Sequence, residues 1–318
     1  MKICVVGAGA IGGWVAAKLA LAGEQVNVFA RGDTLHLIRA EGLRLQERGE
    51  EFVADVIGSD DCAPLGHQDI LIVAVKAPAL PSLASELRPL IGTQTIIVPM
   101  LNGVPWWFVE GTKLKSVDPE GSIAAALPFE QLIGCVVHAS CYRSAANSIV
   151  VKHADNLIIG EPQGGETSKR VAELFGLLDR AGLKPDISGN VGRAIWYKLW
   201  GNATINPLSA LTRASCDRIL ADPECRAWML EGMAELAAVG AAIGCPISES
   251  GEDRMAVTAR LGAFKTSMLQ DVEAGRPIEL EALLGAPREI AVAKGIETPA
   301  LDRLYGVTRL MAESLGLA

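Results

Sequence analysis

The chain has 318 residues, half of them apolar and 21% charged, which is typical of a globular protein with room for two domains. Its formal net charge of −8 argues against nucleic acid as a partner, because a protein that binds the phosphate backbone normally presents a basic face. No apolar stretch approaches the ~18 continuous residues of a membrane span, so neither a membrane segment nor a targeting segment is expected.

The first half of the chain alternates short apolar runs with helical patterns. Apolar runs open at Lys2, Gln25, Asp69 and Thr95, and a helical segment at 81–90 separates the last two. Continuous apolar strands that alternate with helices predict a parallel sheet covered on both faces. Between the second and third of these runs, GLRLQERGEEFVADVIG (42–58) alternates polar and apolar residues and predicts a hairpin or two short strands.

The pattern becomes purely helical in about the last two fifths of the chain. Three β-like segments lie between 133 and 160, and an amphipathic helix follows at 168–182. From about Val191 onward helical stretches follow one another, at 191–204, 223–244, 252–275 and 278–295. Glycine and proline punctuate their ends. The sequence therefore predicts an α/β domain over 1–189 and an all-α domain over 190–318, with a ligand site in the cleft between them.

A glycine turn stands between the first strand and the first helix. It is the G-x-G-x-x-G stretch made by Gly7, Ala8, Gly9, Ala10, Ile11 and Gly12. The first glycine permits a tight turn, the second lets the backbone approach a pyrophosphate, and the third allows close helix–strand packing. The N–H groups of the helix N-terminus favour an anion. These six residues are predicted to bind a dinucleotide in a Rossmann-type domain.

The end of the second strand indicates which dinucleotide binds. NAD enzymes usually carry Asp or Glu about 20 residues past the glycines, where it binds the ribose hydroxyls. This chain has FARGD there, and the guanidinium of Arg31 can pair with the 2′-phosphate of NADP(H). Asp33 follows closely and would weaken this interpretation if it turned inward. NADP(H) is the expected cofactor, with Arg31 among its ligands.

Two polar residues follow neighbouring predicted strands. Lys76 ends LIVAVKA, and Asn102 lies in MLNGV after the next strand. Ligands of open α/β sheets bind at the carboxyl ends of the strands, so both side chains are expected near the cofactor. The alternatives are a capping or surface charge for Lys76 and turn chemistry alone for Asn102.

A polar stripe marks the first helix of the second half. Lys198, Asn202 and Asn206 are four residues apart, a step that drifts only about 40° around a helix. Such a lysine can protonate the alkoxide that develops on a reduced carbonyl, and amides can orient a substrate. The same stripe could instead be a hydrogen-bonded seam in a core. Asn206, which precedes Pro207, could simply end the helix.

A second polar segment lies farther on, in KTSMLQDVEAGRPIELEAL. The helix through Met268 is expected to break near Gly275, which places Glu279 in the first turn of the next helix. A charge favoured by the helix dipole is the alternative explanation for Glu279, and a small packing residue is the alternative for Ser267.

Together these motifs resemble the ketopantoate reductase (2-dehydropantoate 2-reductase) family. The likeness runs in order over nearly the whole chain, through GAGAIGG, Arg31, VKA, LNG, KLWGNATINPLSAL and SMLQDVEAGRPIE. It implies an NADPH-dependent reduction of a 2-oxo acid to a 2-hydroxy acid, most simply ketopantoate to pantoate, in pantothenate biosynthesis.

The resemblance also implies roles for the site residues. Lys198 would be the general acid, and Glu279 would bind the substrate hydroxyl and help set the charge of that lysine. Asn202, Asn206 and Ser267 would hold the substrate. Lys76 and Asn102 would line the cofactor end.

The pair Trp106 and Trp107 departs from this resemblance. Two adjacent indoles on a loop are not expected both to be core residues, so at least one is predicted to narrow the substrate mouth. The alternative is that both anchor the loop on the helical domain.

Three functions stay open on these grounds. They are ketopantoate reduction, reduction of a different 2-oxo acid, and a silent NADP(H)-binding sensor, which the presence of Lys198, Asn202 and Glu279 disfavours. The seven scattered cysteines lack a C-x-x-C pair, which fits a reducing cytoplasm and predicts neither a disulfide framework nor a zinc or other metal site. A monomer or homodimer with a small-molecule 2-oxo acid substrate is expected, without nucleic acid or membrane.

Overall fold

Two compact units divide the chain in the computed structural model, which describes residues 1–260 and 262–317. One unit comprises Met1–Leu101 with Ser122–Ala194, and the other comprises Asn102–Gly121 with Ile195–Ala318. The sequence predicts continuous segments, 1–189 and 190–318, and the main difference is the segment 102–121. Val104 and Leu114 of that segment are buried in the apolar core of the second unit, which no local sequence pattern reveals.

The first unit contains the strands. The described residues form ten: β1 (Lys2–Val6), β2 (Gln25–Phe29), β3 (Leu43–Glu47), β4 (Glu50–Ala54), β5 (Ile57–Ser59), β6 (Gln68–Val73), β7 (Ile91–Pro99), β8 (Gly134–Ala145), β9 (Ser148–Gly160) and β10 (Pro185–Ile187). Five of them pair in parallel in the order β5-β2-β1-β6-β7. Because β1 and β6 are almost wholly buried, their apolar runs are continuous, and the predicted parallel sheet is confirmed.

The remaining strands form a second, mixed sheet. β8 and β9 make a long antiparallel hairpin, and β9 also pairs in parallel with β3 and β10. The hairpin predicted within 42–58 is confirmed as β3 and β4. The second and third of the β-like segments predicted between 133 and 160 lie largely in the single strand β9. Strand β10 escapes prediction because three residues are too few to show a period.

Five helices belong wholly to the first unit: α1 (Ala10–Leu21), α2 (Gly32–Glu41), α3 (Leu80–Leu83), α4 (Ser122–Ala126) and α5 (Lys169–Arg180). Helix α1 contacts strands of both sheets. A Cβ on Gly13 would lie 2.8 Å from the side chain of Ile149, so a glycine is needed for α1 to approach β9. The segment predicted as helical at 81–90 consists of α3 and a 3₁₀ helix, Ala84–Leu90.

The second unit is helical, as predicted. Its helices are α6 (Val191–Thr212), which begins in the first unit, α7 (Cys216–Ala221), α8 (Pro223–Ala242), α9 (Gly251–Ala259), α10 (Ser267–Glu273), α11 (Ala286–Ala293) and α12 (Pro299–Leu315). Buried Trp196 and Trp200 fix α6 on α8, since their indole N–H groups donate to the backbone oxygens of Leu236 and Met233 at 3.0 and 2.7 Å. Within the described ranges, no helix combines the length and apolar character needed to cross a membrane.

Three helix boundaries differ from the prediction. Helix α6 continues through Pro207, so Asn206 does not end it. The segment predicted as one helix at 252–275 contains two, because the Thr266 hydroxyl accepts from the backbone N–H of Leu269 and starts α10 anew. Glu279 precedes its helix rather than lying in the first turn: a π-helical turn, Glu281–Gly285, follows it and leads into α11.

Candidate active site

The three glycines of the glycine turn differ in how tightly their surroundings constrain them. Gly7 has a φ of 97°, which favours glycine, and its N–H donates to the backbone oxygen of Phe29 at 3.0 Å. A Cβ on Gly12 would lie 1.9 Å from the oxygen of Gly7, so this position admits only glycine. A Cβ on Gly9 would meet only the oxygen of Ala74, at 4.0 Å. The protein's own packing thus explains Gly7 and Gly12, whereas Gly9 leaves an open approach to the backbone.

The start of α1 is suited to an anion. Gly9 occupies the N-cap position, where no side chain caps the helix, and the first turn carries no acidic residue. Ala8, Ala10 and Ile11 complete the turn and present no polar side chain there. The N–H groups of the first turn and the helix dipole therefore favour a phosphate at this position.

Arg31 lies two residues past the end of β2 and stands at the N-cap position of α2. Its guanidinium lies 5.3 Å from the centre of the Phe29 ring. Its Nη2 is 2.5 Å from Oε2 of Glu86, in the 3₁₀ helix after β6. The carboxylate paired with Arg31 is therefore that of Glu86, whereas the sequence draws attention only to the nearby Asp33 as an acidic neighbour. Glu86 carries no sequence signal for this contact.

Lys76 lies beyond the end of β6 rather than within the strand. It is partly buried and occupies the N-cap position of a 3₁₀ turn, Ala77–Ala79. This places it after the carboxyl end of a central strand of the parallel sheet, next along the sheet from the strand that leads into the glycine turn. Its role at the cofactor stays a prediction.

A hydrogen-bonded chain joins three predicted site residues of the second unit. The ammonium of Lys198 donates to Oδ1 of Asn102 at 3.1 Å, and Nδ2 of Asn102 donates to Oε2 of Glu279 at 3.0 Å. An ammonium only donates and a carboxylate only accepts, so the two neighbours define the orientation of the amide between them. The chain thus holds a cation, an oriented dipole and a buried carboxylate in sequence.

The backbone around Asn102 is positioned by a close approach to the π-helical turn. The N–H of Val104 donates to the oxygen of Ala282 at 2.8 Å. Gly103 has a φ of 77°, and a Cβ there would lie 2.3 Å from the same oxygen. Glycine is therefore required at 103, and the LNG motif reflects this packing. Since Glu279 lies two residues before the π-helical turn, the same contact brings Asn102 close to Glu279.

The other predicted substrate residues differ in their surroundings. Asn202 is partly exposed on α6, and Asn206 is 5% exposed. Within 1–260 and 262–317, neither side-chain amide forms a hydrogen bond, so both stay available to a ligand on the stripe that begins with Lys198. Ser267 is exposed at the first position of α10, and no described contact joins it to Lys198, Asn102 or Glu279.

Glu289 on α11 is a residue that the sequence analysis does not identify. Its carboxylate accepts from the backbone N–H groups of Lys115 and Ser116 at 2.9 and 2.8 Å, and from the Ser116 hydroxyl at 2.7 Å. Burial alone would raise the pKa of Glu289, but these hydrogen bonds outweigh it and hold the pKa below its ordinary value. Glu289 therefore anchors the segment 102–121, which begins with Asn102, to the helical unit.

Trp106 and Trp107 are both buried, at 6% and 8% exposure. The expectation that both could not be buried is therefore wrong. The Trp107 ring lies 6.5 Å from that of Phe108, which stacks on Trp196 at 5.7 Å, so aromatic packing extends from this loop to α6. The loop packs within the helical unit here, and no local pattern in the sequence indicates this packing. A role at the substrate mouth stays a hypothesis.

Comparison with known proteins identifies relatives over the whole chain. The family described as "Ketopantoate reductase PanE/ApbA" matches residues 3–164, and "Ketopantoate reductase PanE/ApbA C terminal" matches residues 190–312. A 2-dehydropantoate 2-reductase from Mesorhizobium japonicum is 39% identical over 324 aligned positions, covering 99% of each chain.

Solved structures agree with this match. A candidate ketopantoate reductase from Ralstonia solanacearum MolK2 superposes with a TM-score of 0.96 at 51% identity, covering 100% of this chain and 99% of that one. The 2-dehydropantoate 2-reductase from Methylococcus capsulatus has a TM-score of 0.85 at 28% identity, with the same coverage.

These matches extend across both units and include every residue of the Lys198–Asn102–Glu279 chain. Enzymes of this kind are oxidoreductases that act on CH–OH groups and use a nicotinamide cofactor. The chain belongs to the ketopantoate reductase family.

Proposed function

We propose that this protein reduces a 2-oxo acid to a 2-hydroxy acid with NADPH, and that 2-dehydropantoate (ketopantoate) is its substrate. The observation that carries the proposal is the chain from Lys198 through Asn102 to Glu279, in a protein whose relatives are named for this reaction. Reduction adds a hydride to the C2 carbonyl carbon and a proton to its oxygen, so the site needs a proton donor beside the carbonyl.

The first unit fits the cofactor. The open side of Gly9 and the uncapped start of α1 suit a pyrophosphate, and Arg31 supplies a guanidinium for a 2′-phosphate. Lys76 is proposed to line the same cofactor. When bound, the nicotinamide supplies the hydride. The residues of the glycine turn hold the dinucleotide, and Arg31 favours the phosphorylated form.

Lys198 is proposed as the general acid. Its ammonium can donate a proton to the carbonyl oxygen as negative charge develops there, and its positive charge stabilises that oxygen. Asn102 holds the ammonium through Oδ1, while Glu279 holds Asn102 through Nδ2. The carboxylate supplies the opposite charge that a half-buried ammonium requires, and it is proposed to accept a hydrogen bond from the substrate hydroxyl.

Three further residues are proposed to hold the substrate. Asn202 and Asn206 lie one and two turns beyond Lys198, with amides that form no hydrogen bond to other described residues. An amide carries donors and an acceptor, so each can bind a carboxylate or a hydroxyl. Ser267 is proposed for the same substrate, and its support is the match to the family motif SMLQD.

Steady-state oxidation of NADPH with a panel of 2-oxo acids tests the proposal. Ketopantoate should give the highest kcat/KM, NADH should replace NADPH poorly, and the product should be the 2-hydroxy acid. The absence of turnover with every 2-oxo acid, despite NADPH binding, would contradict the proposal and favour a binding protein.

A different 2-oxo acid is the second candidate. The fold is shared with D-mandelate dehydrogenase, at a TM-score of 0.86 and 20% identity, and that protein's structure holds NADH and anilino(oxo)acetate. The fold alone therefore does not select the acid. A larger kcat/KM for a bulkier 2-oxo acid in the same panel would favour this candidate.

A cytoplasmic location is proposed on the support of the cysteines. All seven are free, and burial raises the pKa of the Cys4 thiol to about 12 and that of Cys216 to about 11. Thiols in this state do not serve as nucleophiles near neutral pH, and they match a reducing compartment.

A further inference from the structure

The ion pair between Arg31 and Glu86 joins residues 55 positions apart in the chain. Nη2 of Arg31 is 2.5 Å from Oε2 of Glu86, and the two side chains are 59% and 46% exposed. Arg31 follows β2, and Glu86 lies in the 3₁₀ helix after β6, so the pair bridges two segments that follow parallel strands. It belongs entirely to the first unit.

The position of this pair bears on the cofactor. Arg31 stands at the N-cap of α2, where no side chain caps the helix, and its guanidinium rests against the Phe29 ring. A guanidinium and an uncapped helix start both favour an anion. In the protein, the anion at the guanidinium is the carboxylate of Glu86. A phosphate that bound Arg31 would meet this carboxylate at close range and would have to displace it.

We propose that Glu86 competes with the 2′-phosphate of NADPH for Arg31 and thereby sets how strongly the protein discriminates between NADPH and NADH. The inference rests on the proposed use of NADP(H). NADH carries no 2′-phosphate, so it binds without disturbing the pair. The 2′-phosphate of NADPH gains a contact with the Arg31 guanidinium. Part of the binding free energy from this contact is lost, because the Arg31–Glu86 contact breaks and the freed carboxylate repels the phosphate.

Binding of matched fragments tests the proposal without any turnover. Adenosine 2′,5′-bisphosphate and 5′-AMP differ only by the 2′-phosphate, and calorimetric titration gives the Kd of each, alongside those of NADPH and NADH. The proteins are the wild type, Glu86→Gln, Arg31→Gln and the double variant. Glu51→Gln is the matched control, because it removes one charge from another exposed ion pair of the same unit, with Arg44 at 3.0 Å.

Glu86→Gln should lower the Kd of adenosine 2′,5′-bisphosphate and of NADPH by about two- to fivefold, which corresponds to the energy of an exposed ion pair. The Kd values of 5′-AMP and NADH should not change. This decrease in Kd should be absent when Arg31→Gln is also present, and it should become smaller as ionic strength rises. Glu51→Gln should have no such effect.

Several outcomes would overturn the inference. They are an unchanged Kd of the 2′-phosphorylated ligands in Glu86→Gln, an equal decrease in Kd for both fragments, and a decrease that persists in the double variant. Weaker binding of NADH by Glu86→Gln would also overturn it, because Glu86 would then be a ligand of the ribose. The wild-type titrations separate this failure from that of the proposed function. If the wild type prefers the 2′-phosphorylated fragment, NADP(H) use stands whatever Glu86 does, and if it does not, both proposals fall.

Discussion

Lys198 donates a hydrogen bond to Asn102 across 3.1 Å, although 96 positions of the chain separate them. Asn102 stands at the start of the segment 102–121, which packs within the helical unit, and its amide continues the contact to Glu279. The sequence predicts Asn102 at the cofactor end and Lys198 as the general acid. The structure makes Asn102 the connection between the proposed general acid and its carboxylate.

Replacing Lys198 with alanine should lower kcat by about 10²–10⁴, the usual contribution of general acid catalysis. The Kd of NADPH should change little, because the groups proposed to hold the dinucleotide are the glycine turn and Arg31 and not Lys198. Steady-state kinetics and cofactor titration give the two values. Near-normal turnover in the variant would make the lysine structural and the polar stripe a core seam.

The Asn102→Ala change removes the group between Lys198 and Glu279, and it leaves both charged groups without a hydrogen bond that they now form. If Asn102 acts through that chain, kcat should fall by at least about tenfold, a loss of some 1.4 kcal/mol, while NADPH binding is retained. If Asn102 instead binds the cofactor, the Kd of NADPH should rise as well. The Asn102→Asp change tests the two contacts separately, because an aspartate at this position can accept a hydrogen bond from Lys198 but repels the carboxylate of Glu279.

The Arg31→Ala change should raise the Kd of NADPH by one to two decades and leave that of NADH nearly unchanged. A charge-assisted hydrogen bond contributes about 1.5–3 kcal/mol, which corresponds to that range. Competition from Glu86 places the expected value at the lower end. Fluorescence titration of both nucleotides measures the two constants, and equal weakening of the two would remove Arg31 as the selective residue.

The Glu289→Gln change should loosen the segment 102–121 and lower both stability and kcat, because Glu289 accepts three hydrogen bonds from Lys115 and Ser116. The expected loss of unfolding free energy is about 1–2 kcal/mol at neutral pH. Glu231→Gln, which alters an exposed pair with Arg303 in the same unit, is the control. Denaturant unfolding and steady-state kinetics measure the two effects, and an unchanged kcat would show that the anchor does not support the site.

The difference in unfolding free energy between wild type and Glu289→Gln should depend on pH, and the sign of this dependence is defined. The pKa of Glu289 in the folded protein lies below its ordinary value of 4.5. Its contribution is therefore fully present above that value and is lost as the pH falls through the folded pKa. The stability gap between wild type and Glu289→Gln should narrow in acid. A gap that stays constant through the acid range would mean that the carboxylate charge is not what anchors the segment.

Trp107 offers a test of packing against specificity. Its indole N–H is buried and has no hydrogen-bond partner among the described residues. Trp107→Ala should lose about 3–5 kcal/mol of stability, whereas Trp107→Phe removes the unsatisfied donor and should lose far less. Thermal unfolding measures both.

The same variants, with Trp106→Phe, also test the substrate-mouth hypothesis. A pocket wall should change the ratio of kcat/KM between ketopantoate and bulkier 2-oxo acids by about 1–3 kcal/mol when a hydrophobic contact is lost. A loop anchor should leave that ratio unchanged. Burial of both rings favours the second result.

Local patterns account for what sequence analysis predicted correctly. The apolar runs of β1 and β6, the turn from Gly7 to Gly12 and the four-residue step from Lys198 are properties of short stretches. Each follows from the period of a strand or helix, or from the space that a Cβ requires. Two helix boundaries were not predicted: α6 continues five residues past Pro207, and the Thr266 cap divides the segment 252–275 into α9 and α10, because packing and capping override local propensity.

Contacts between distant residues decided the rest. Asn102 meets Glu279 across 177 positions, Arg31 meets Glu86 across 55, and Glu289 holds Ser116 across 173. No periodicity links such pairs, because a side chain on one element finds its partner only when the elements pack. The sequence by itself determined the parallel sheet, the glycine turn and the polar stripe. Only the tertiary structure decided which carboxylate faces Arg31 and which amide joins the lysine to Glu279.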